Sequence, residues 1–286
     1  MPVATPADLE RLSPLLRGKA GHALTRVLMK LTGVDKVNDL YDRVAPLAGP
    51  DFADGILRDV GIDYLVGNPE RLSALPEGPF ITVSNHPYGH LDGIMLVDLM
   101  GHLRPGFKLM VNELLGLIRL MGGNFIVVNP TGKERGAATP QSIAGVKEAL
   151  KTLQDGNVLG LFPSGAVSDL KVLEGFKIRD RGWQEAALKL IRKAGVPVVP
   201  VRFFDRNSSF YYSLGLLEYR VRLARLCHEV FNKRGRQVRL GIGGTIGVEE
   251  QAACGTLEEL GALLRGRVYD MPLPAEFVRR SELRSF

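Results

Sequence analysis

From residue 62 onward, short apolar runs alternate with stretches of helical period. The runs Ile62–Val66, Pro79–Ser84, Phe107–Val111, Asn124–Val128, Val158–Pro163, Val196–Phe203 and Gln237–Ile242 are rich in branched and aromatic side chains. Runs of this length between turn residues predict buried strands. Between them, apolar residues recur at helical spacing over 92–102, 112–121, 140–154, 182–194 and 213–232. Strand alternating with helix is the rhythm of an α/β fold. The expected fold is therefore one α/β domain over 61–270, a central mixed, mostly parallel sheet flanked by helices, with a helical N-terminal segment. No linker, repeat or low-complexity tract interrupts the pattern.

Residues 1–60 form that helical segment. Its stripe of Leu24, Val27, Leu28 and Leu31 beside Arg26 and Lys30 suits a helix packed on the core. That is the expected reading; the alternative is a helix lying in a lipid interface with its basic residues toward head groups. The tail, 271–286, carries Pro272, Pro274 and scattered charge, and is expected to be loosely held. No stretch reaches the ~18 to 20 uncharged apolar residues needed to span a bilayer. The best attempt, Leu114 to Val128, is cut by Arg119 and by Gly122-Gly123. The start, Met1-Pro2-Val3-Ala4-Thr5-Pro6, has no basic segment followed by an apolar one, so no secretory signal is expected.

Composition narrows the classes. A hydrophobic content of 45% in 286 residues excludes a disordered chain and allows a large core. Cys227 and Cys254 offer neither a disulfide framework nor metal spacing, which fits a reducing compartment. A net charge of +6 admits nucleic acid, anionic lipid or an acidic carrier protein as partners. Nucleic acid has only that charge in its favour, with no motif and no aromatic interleaving, and is not expected. The densest basic cluster is Arg220, Arg222, Arg225, Lys233, Arg234 and Arg236. It reads as a solvated helix face or as a surface attracted to anionic lipid or an acidic carrier.

The most informative segment is Ser84-Asn85-His86-Pro87-Tyr88-Gly89-His90-Leu91-Asp92-Gly93. It follows an expected strand and precedes an expected helix, where an α/β protein can hold an imidazole base and the carboxylate that orients it. An imidazole there can take a proton from an alcohol or amine near neutral pH. His90 forms a His-x3-His pair with His86, but Pro87 and Gly89 oppose the helix that would put both on one face. No metal site is expected. The second block, Gly160-Leu161-Phe162-Pro163-Ser164-Gly165-Ala166-Val167-Ser168, ends a strand in a sharp turn at Pro163 and Gly165 whose N–H groups can bind an oxyanion. It lacks the G-x-S-x-G elbow of a serine hydrolase. Gly123-Asn124-Phe125-Ile126-Val127-Val128-Asn129-Pro130 and Ala194-Gly195-Val196-Pro197-Val198-Val199-Pro200-Val201 read alone as ordinary strands. Gly241 to Gly247 lacks the G-x-G-x-x-G spacing of a dinucleotide site.

Taken in order over residues 60 to 245, these four blocks resemble the glycerolipid acyltransferase family, the lysophosphatidate-acyltransferase-like enzymes. They are most similar to a bacterial branch labelled hemolysin-like, with Asn-His-Pro-x-Gly-x-x-Asp, which includes enzymes that acylate amino-acid-containing lipids. The stretches Ile178 to Trp183 and Asn207 to Tyr211 are also similar to that branch. Three positions depart from the main pattern. Five residues rather than four separate His86 from Asp92, Ser164 replaces a Glu, and Asn129 replaces a basic residue. The last two make glycerol 3-phosphate or lysophosphatidate a poor expected acceptor.

The resemblance implies an acyltransferase moving a fatty acyl group from an acyl thioester to the hydroxyl or amine of a lysolipid or amino-acid lipid. His86 is the expected general base and Asp92 its orienter. Asn85, Gly89, Asn124, Phe125, Asn129, Phe162, Pro163, Ser164 and Gly165 are expected to contact substrate. Backbone N–H groups near Ser164 and Gly165 would hold the oxyanion. Leu96, Leu99, Met100, Met110, Leu114 and Leu117 are candidates for an acyl slot or simply core. No cofactor is expected, the thioester being a co-substrate on acyl carrier protein or coenzyme A. The expected location is peripheral, on the cytoplasmic side of the inner membrane, against an anionic surface. Rival readings are an ester or thioester hydrolase using the same His, and a non-catalytic lipid or carrier-protein binding module.

Overall fold

The computed structural model describes residues 18–112, 115–128 and 139–283. Three helices lead: α1 (Gly18–Thr32), α2 (Val34–Val44) and α3 (Gly49–Val60). An eight-stranded sheet follows, built from β1 (Leu65–Gly67), β2 (Ile81–Ser84), β3 (Lys108–Asn112), β4 (Phe125–Val128), β5 (Leu159–Leu161), β8 (Val198–Phe203), β9 (Arg239–Ile242) and β10 (Phe277–Arg279). Its order is β10-β1-β9-β8-β2-β5-β3-β4. The run β8-β2-β5-β3-β4 is parallel throughout, and β9 pairs antiparallel with β8. All seven expected strands are present within a few residues.

Helices cover both faces, as a parallel sheet requires. On one side lie α3 and α4 (Leu91–Leu103), burying Phe52, Phe80, Met95, Leu96 and Met100 in one core. Helix α4 is apolar nearly all round because α3 and the sheet enclose it. On the other side α5 (Pro140–Gln154), α6 (Glu185–Ala194) and α11 (Leu257–Tyr269) bury Leu153, Leu188, Ile191 and Leu264. Thr139 caps α5 by accepting the Ser142 N–H, and Thr256 with Glu259 forms a capping box on α11.

A third, small cluster sits beyond the ends of β2 and β8. Tyr211 and Tyr212 of α7 (Ser209–Leu217) pack with Val167, Leu226 and the inner side chains Leu170 and Ile178. The last two belong to a hairpin of β6 (Asp169–Lys171) and β7 (Lys177–Arg179). Helices α8 (Tyr219–Ala224), α9 (Leu226–Phe231) and α10 (Val248–Ala252) complete the chain.

Four expectations need correction, and one element was not expected at all. The helix expected over 112–121 is replaced, in its described part, by 3-10 turns at Leu115–Leu117 and Arg119–Asn124. Gly116, Gly122 and Gly123 oppose a longer helix. The helix expected over 213–232 is three short ones, interrupted at an extended Glu218 and at Arg225. The hairpin went unrecognised.

The stripe on α1 does not pack on the core. Leu24, Val27, Leu28 and Leu31 are 47%, 52%, 36% and 66% exposed, while Thr25 and Met29 face inward. In the tail, Leu65↔Arg279 pairing ties β10 antiparallel to β1, and the Arg280 guanidinium holds Asp98 at 2.9 Å. The segment 271–283 is therefore part of the sheet structure rather than loosely held.

Candidate active site

The five parallel strands β8-β2-β5-β3-β4 end at the same edge, and there the chain leaves β2 through Asn85 and His86. Asn85 is spent on the fold. Its amide donates to the Phe203 carbonyl at 2.9 Å and accepts the Phe203 N–H at 2.8 Å. This extends the β2–β8 ladder by one side chain and fixes where His86 begins.

The loop 87–90 then curls back onto Asp92, in the first turn of α4. Asp92 is fully buried and accepts the N–H groups of Tyr88 (3.0 Å), Gly89 (3.3 Å) and Gly93 (3.1 Å). A helix N-terminus favours a carboxylate there. His86 Nδ1 lies 3.0 Å from Asp92 Oδ2. The residue beyond the usual spacing is absorbed at Gly89, whose φ of +88° suits glycine; an added Cβ would meet Leu226 at 2.8 Å and Val167 at 2.9 Å.

With Nδ1 turned to Asp92, Nε2 is the ring nitrogen outside that contact. The ring stacks on Phe162, centroids 4.0 Å apart. Burial opposes its charged form, but the Asp92 charge and hydrogen bond, aided by Asp180, prevail and hold its pKa above 6.5. His90 goes the other way: burial pushes its imidazole down to about 4. It is neutral at pH 7. Among the described residues no group of three His, Cys, Asp or Glu is placed to hold a metal ion.

The loop is pinned from outside by residues the sequence reading gave no role. Asp180 Oδ1 accepts the His86 N–H at 3.1 Å and the Ser168 hydroxyl at 2.5 Å. Ser168 N–H returns to the His86 carbonyl at 2.9 Å. Asn207 donates to the Tyr88 carbonyl and Tyr212 to that of Pro87. The one sequence signal was that Asp180 and Asn207 lie in the stretches similar to the hemolysin-like branch.

The second block also reaches this edge. After β5, Phe162-Pro163-Ser164-Gly165 turns sharply, with Gly165 at φ +62°. Gly165 N–H donates to the Phe162 carbonyl at 2.9 Å, so it is not an open oxyanion donor as expected. The Ser164 hydroxyl donates to the Ala166 carbonyl at 2.8 Å. That leaves the Ser164 N–H without a partner among the described residues.

Asn124 and Phe125 are not brought to the site. They stand at the beginning of β4, the opposite end of the strands from His86, and Asn124 donates to the Phe107 carbonyl at 2.9 Å. Asn129 lies outside the described residues. Of the acyl-slot candidates, Leu96, Leu99 and Met100 are core, and Met110 packs on the other face of the sheet. Leu114 and the Leu117 side chain lie outside what is described.

A family model described as Acyltransferase matches residues 8–273. The chain belongs to the acyltransferase family. It is 27% identical over 226 residues to the lyso-glycine lipid O-acyltransferase of Bacteroides thetaiotaomicron, covering 77% of this chain and 79% of that protein. It is 28% identical over 204 residues to the protein of the same name from Phocaeicola vulgatus, covering 65% and 70%. Among solved structures, the 1-acyl-sn-glycerophosphate acyltransferase PlsC of Thermotoga maritima is similar at 18% identity and a TM-score of 0.45, covering 76% of this chain and 78% of that one.

Beside the His86 loop the acyltransferase has a cavity of about 840 Å³, whose lining includes Asn85, Pro87 and Tyr88 but not His86 itself. Lys177, Arg179, Arg202, Arg206, Lys233 and Arg236 also line it. Its one carboxylate, Asp205, is engaged by Arg239. Lys233 pairs with Glu229 at 3.1 Å. Lys177, Arg179, Arg206 and Arg236 have no carboxylate partner among the described residues.

The expected basic cluster is thus partly dissolved. Arg222 is 1% exposed and bound to Asp169 at 2.8 Å, Lys233 is buried as well, and Arg234 donates to the Asp59 and Val60 carbonyls. The Arg220 side chain lies outside what is described.

Proposed function

We propose that this acyltransferase moves an acyl group from a thioester, on acyl carrier protein or coenzyme A, to the hydroxyl of a lysolipid bearing an anionic head. The observation that carries the reading is the His86 Nδ1–Asp92 Oδ2 contact of 3.0 Å with Nε2 left over. Nε2 takes the acceptor's proton as its oxygen attacks the thioester carbon. Asp92 steadies the imidazolium, and the Ser164 N–H supports the oxyanion. The carbon–sulfur bond then breaks and the thiolate recovers the proton from His86. Carbon, oxygen and sulfur balance without a covalent acyl-enzyme, and no cofactor enters the scheme.

The acceptor's class is supported by the cavity's unpaired Lys177, Arg179, Arg206 and Arg236, which suit a carboxylate, and by the names of the two relatives. A peripheral place on a membrane surface is supported by the exposed α1 stripe. No helix of the described residues is long and apolar enough to cross a membrane.

The test is mass spectrometry of products from purified enzyme, an acyl thioester and a lyso-amino-acid lipid. Diacylated product from wild type, reduced at least ~10²-fold in His86→Ala, is expected. Wild-type rates in that variant, or free fatty acid as the sole product, would overturn the proposal.

A further inference from the structure

Water-facing apolar side chains gather on one lobe of the molecule. Leu173 is 102% exposed and Phe176 66%, both between β6 and β7. On the neighbouring helices, Phe210, Leu216, Leu217 and Val221 are 57%, 57%, 85% and 51% exposed. The hairpin and α7 share the small core of Leu170, Ile178, Tyr211 and Tyr212. Each element thus buries its inner side chains against the other and turns its remaining apolar ones outward. Phe176 also holds φ +58°, a conformation bulky residues seldom adopt. The fold keeps that ring at the hairpin tip.

Charge decides what such a surface fits. Lys171 and Lys177 flank the hairpin tip, Arg206 and Arg236 are exposed nearby in the cavity wall, and the Arg225 guanidinium lies over the Phe210 ring at 4.9 Å. On the other side of the balance stand Glu174 at the tip and Glu218, while Asp169 is held inward by Arg181 and Arg222. An apolar tip ringed by an excess of cations matches the acyl boundary and anionic head groups of a bilayer better than it matches another protein's core. Phe176 and Lys177 lie on the cavity wall as well as on this lobe, so docking here would set the cavity's mouth at the level of the head groups.

We propose that the β6–β7 hairpin and the adjoining face of α7 are an interfacial docking surface for an anionic bilayer, through which the acyltransferase takes up its acceptor. The inference rests on the reading that the acceptor is a lipid.

The test is co-sedimentation of the full chain with phosphatidylglycerol–phosphatidylcholine vesicles and with pure phosphatidylcholine vesicles, alongside transfer to detergent-solubilised acceptor. Wild type is expected to bind the anionic vesicles and to be released by high salt. The double variant Leu173→Asp with Leu217→Asp should lower partitioning at least tenfold, and Lys171→Glu should lower it on anionic vesicles alone. Ile143→Asp, an exposed position on α5, should change nothing. The docking variants should keep their rate on detergent-solubilised acceptor. No vesicle binding by wild type, unchanged binding by the double variant, or an equal loss in Ile143→Asp would overturn the proposal. Failure of transfer by wild type in detergent would instead count against the acyltransferase chemistry, leaving the binding result to stand.

Discussion

Asp180 and His86, ninety-four positions apart, are joined through the main chain: the carboxylate accepts the His86 N–H at 3.1 Å. The same Asp180 oxygen takes the Ser168 hydroxyl, whose own N–H closes on the His86 carbonyl. The backbone of the proposed base is therefore held at both polar groups by one segment. Asp180→Asn removes a charge that helps raise the imidazole. A bond to a charged group contributes ~1.5–3 kcal/mol, so a loss of about tenfold or more in kcat is expected. The midpoint of the pH–rate profile should also move down. A residue that only braced the loop would lower the melting temperature and leave that midpoint in place.

Asp92 acts on the ring itself. Asp92→Asn keeps the size of the side chain but not its charge, and a general base contributes ~10²–10⁴-fold. A drop of at least ~10² is expected, with far-UV circular dichroism unchanged. Because the pair works as a unit, adding His86→Ala to Asp92→Asn should cost little more than either change alone. Steady-state kinetics of the four proteins checks this.

Activity should rise with pH, since only the neutral imidazole accepts a proton. Its midpoint should lie above 6.5, as Asp92 and Asp180 outweigh burial at His86. Initial rates across pH 5 to 9 measure it, and Asp92→Asn should bring the midpoint down. A flat profile would count against His86 as the base.

The two loop histidines should affect stability in opposite senses. His86 is raised in the folded state, so its contribution is full below pH 6.5 and is lost as pH rises through the folded value. His90 is lowered from 6.5 to about 4. The unfolded chain binds the extra proton between those values, so stability falls as pH drops from 6.5 toward 4. Melting temperatures across pH 4 to 9 should show His90→Gln with weaker acid sensitivity, and His86→Gln with a smaller decline toward alkaline pH.

Gly89→Ala should be destabilising on two counts. Its φ of +88° is strained for alanine, and the new Cβ would fall 2.8 Å from Leu226. Strained backbone alone costs of order 1–3 kcal/mol. A lower denaturation midpoint is expected. Transfer should also fall at temperatures where the variant is folded, because Gly89 N–H is one of the bonds on Asp92.

Much of this was legible along the chain. Seven strands were found because a doubly covered parallel sheet leaves its strands as short apolar runs. The His86–Asp92 pairing was legible because strand, turn and helix are contiguous there, so local geometry nearly determines it. The α1 stripe was ambiguous: apolar periodicity identifies a helical face but not what that face meets. Leu24 and Leu31 turned out to face outward while Thr25 and Met29 pack.

The pairings missed share one property, that the partners are distant in sequence. Asp180 serves His86, Arg222 serves Asp169 and Arg280 serves Asp98. Asn124 and Phe125 sit in a run that marks a strand, but which end of the strand meets the site depends on the direction of β4 beside β3. Side-chain periodicity carries no sign of direction.

By itself, then, the order of amino acids decided the α/β class, the strands and the loop that puts an imidazole beside a carboxylate, because each depends on neighbours a few bonds away. Folding in three dimensions decided which cations are buried struts and which line the cavity, and which carboxylate braces the His86 loop. Those depend on loops closing over tens to hundreds of residues, where burial and charge are set by whatever arrives alongside.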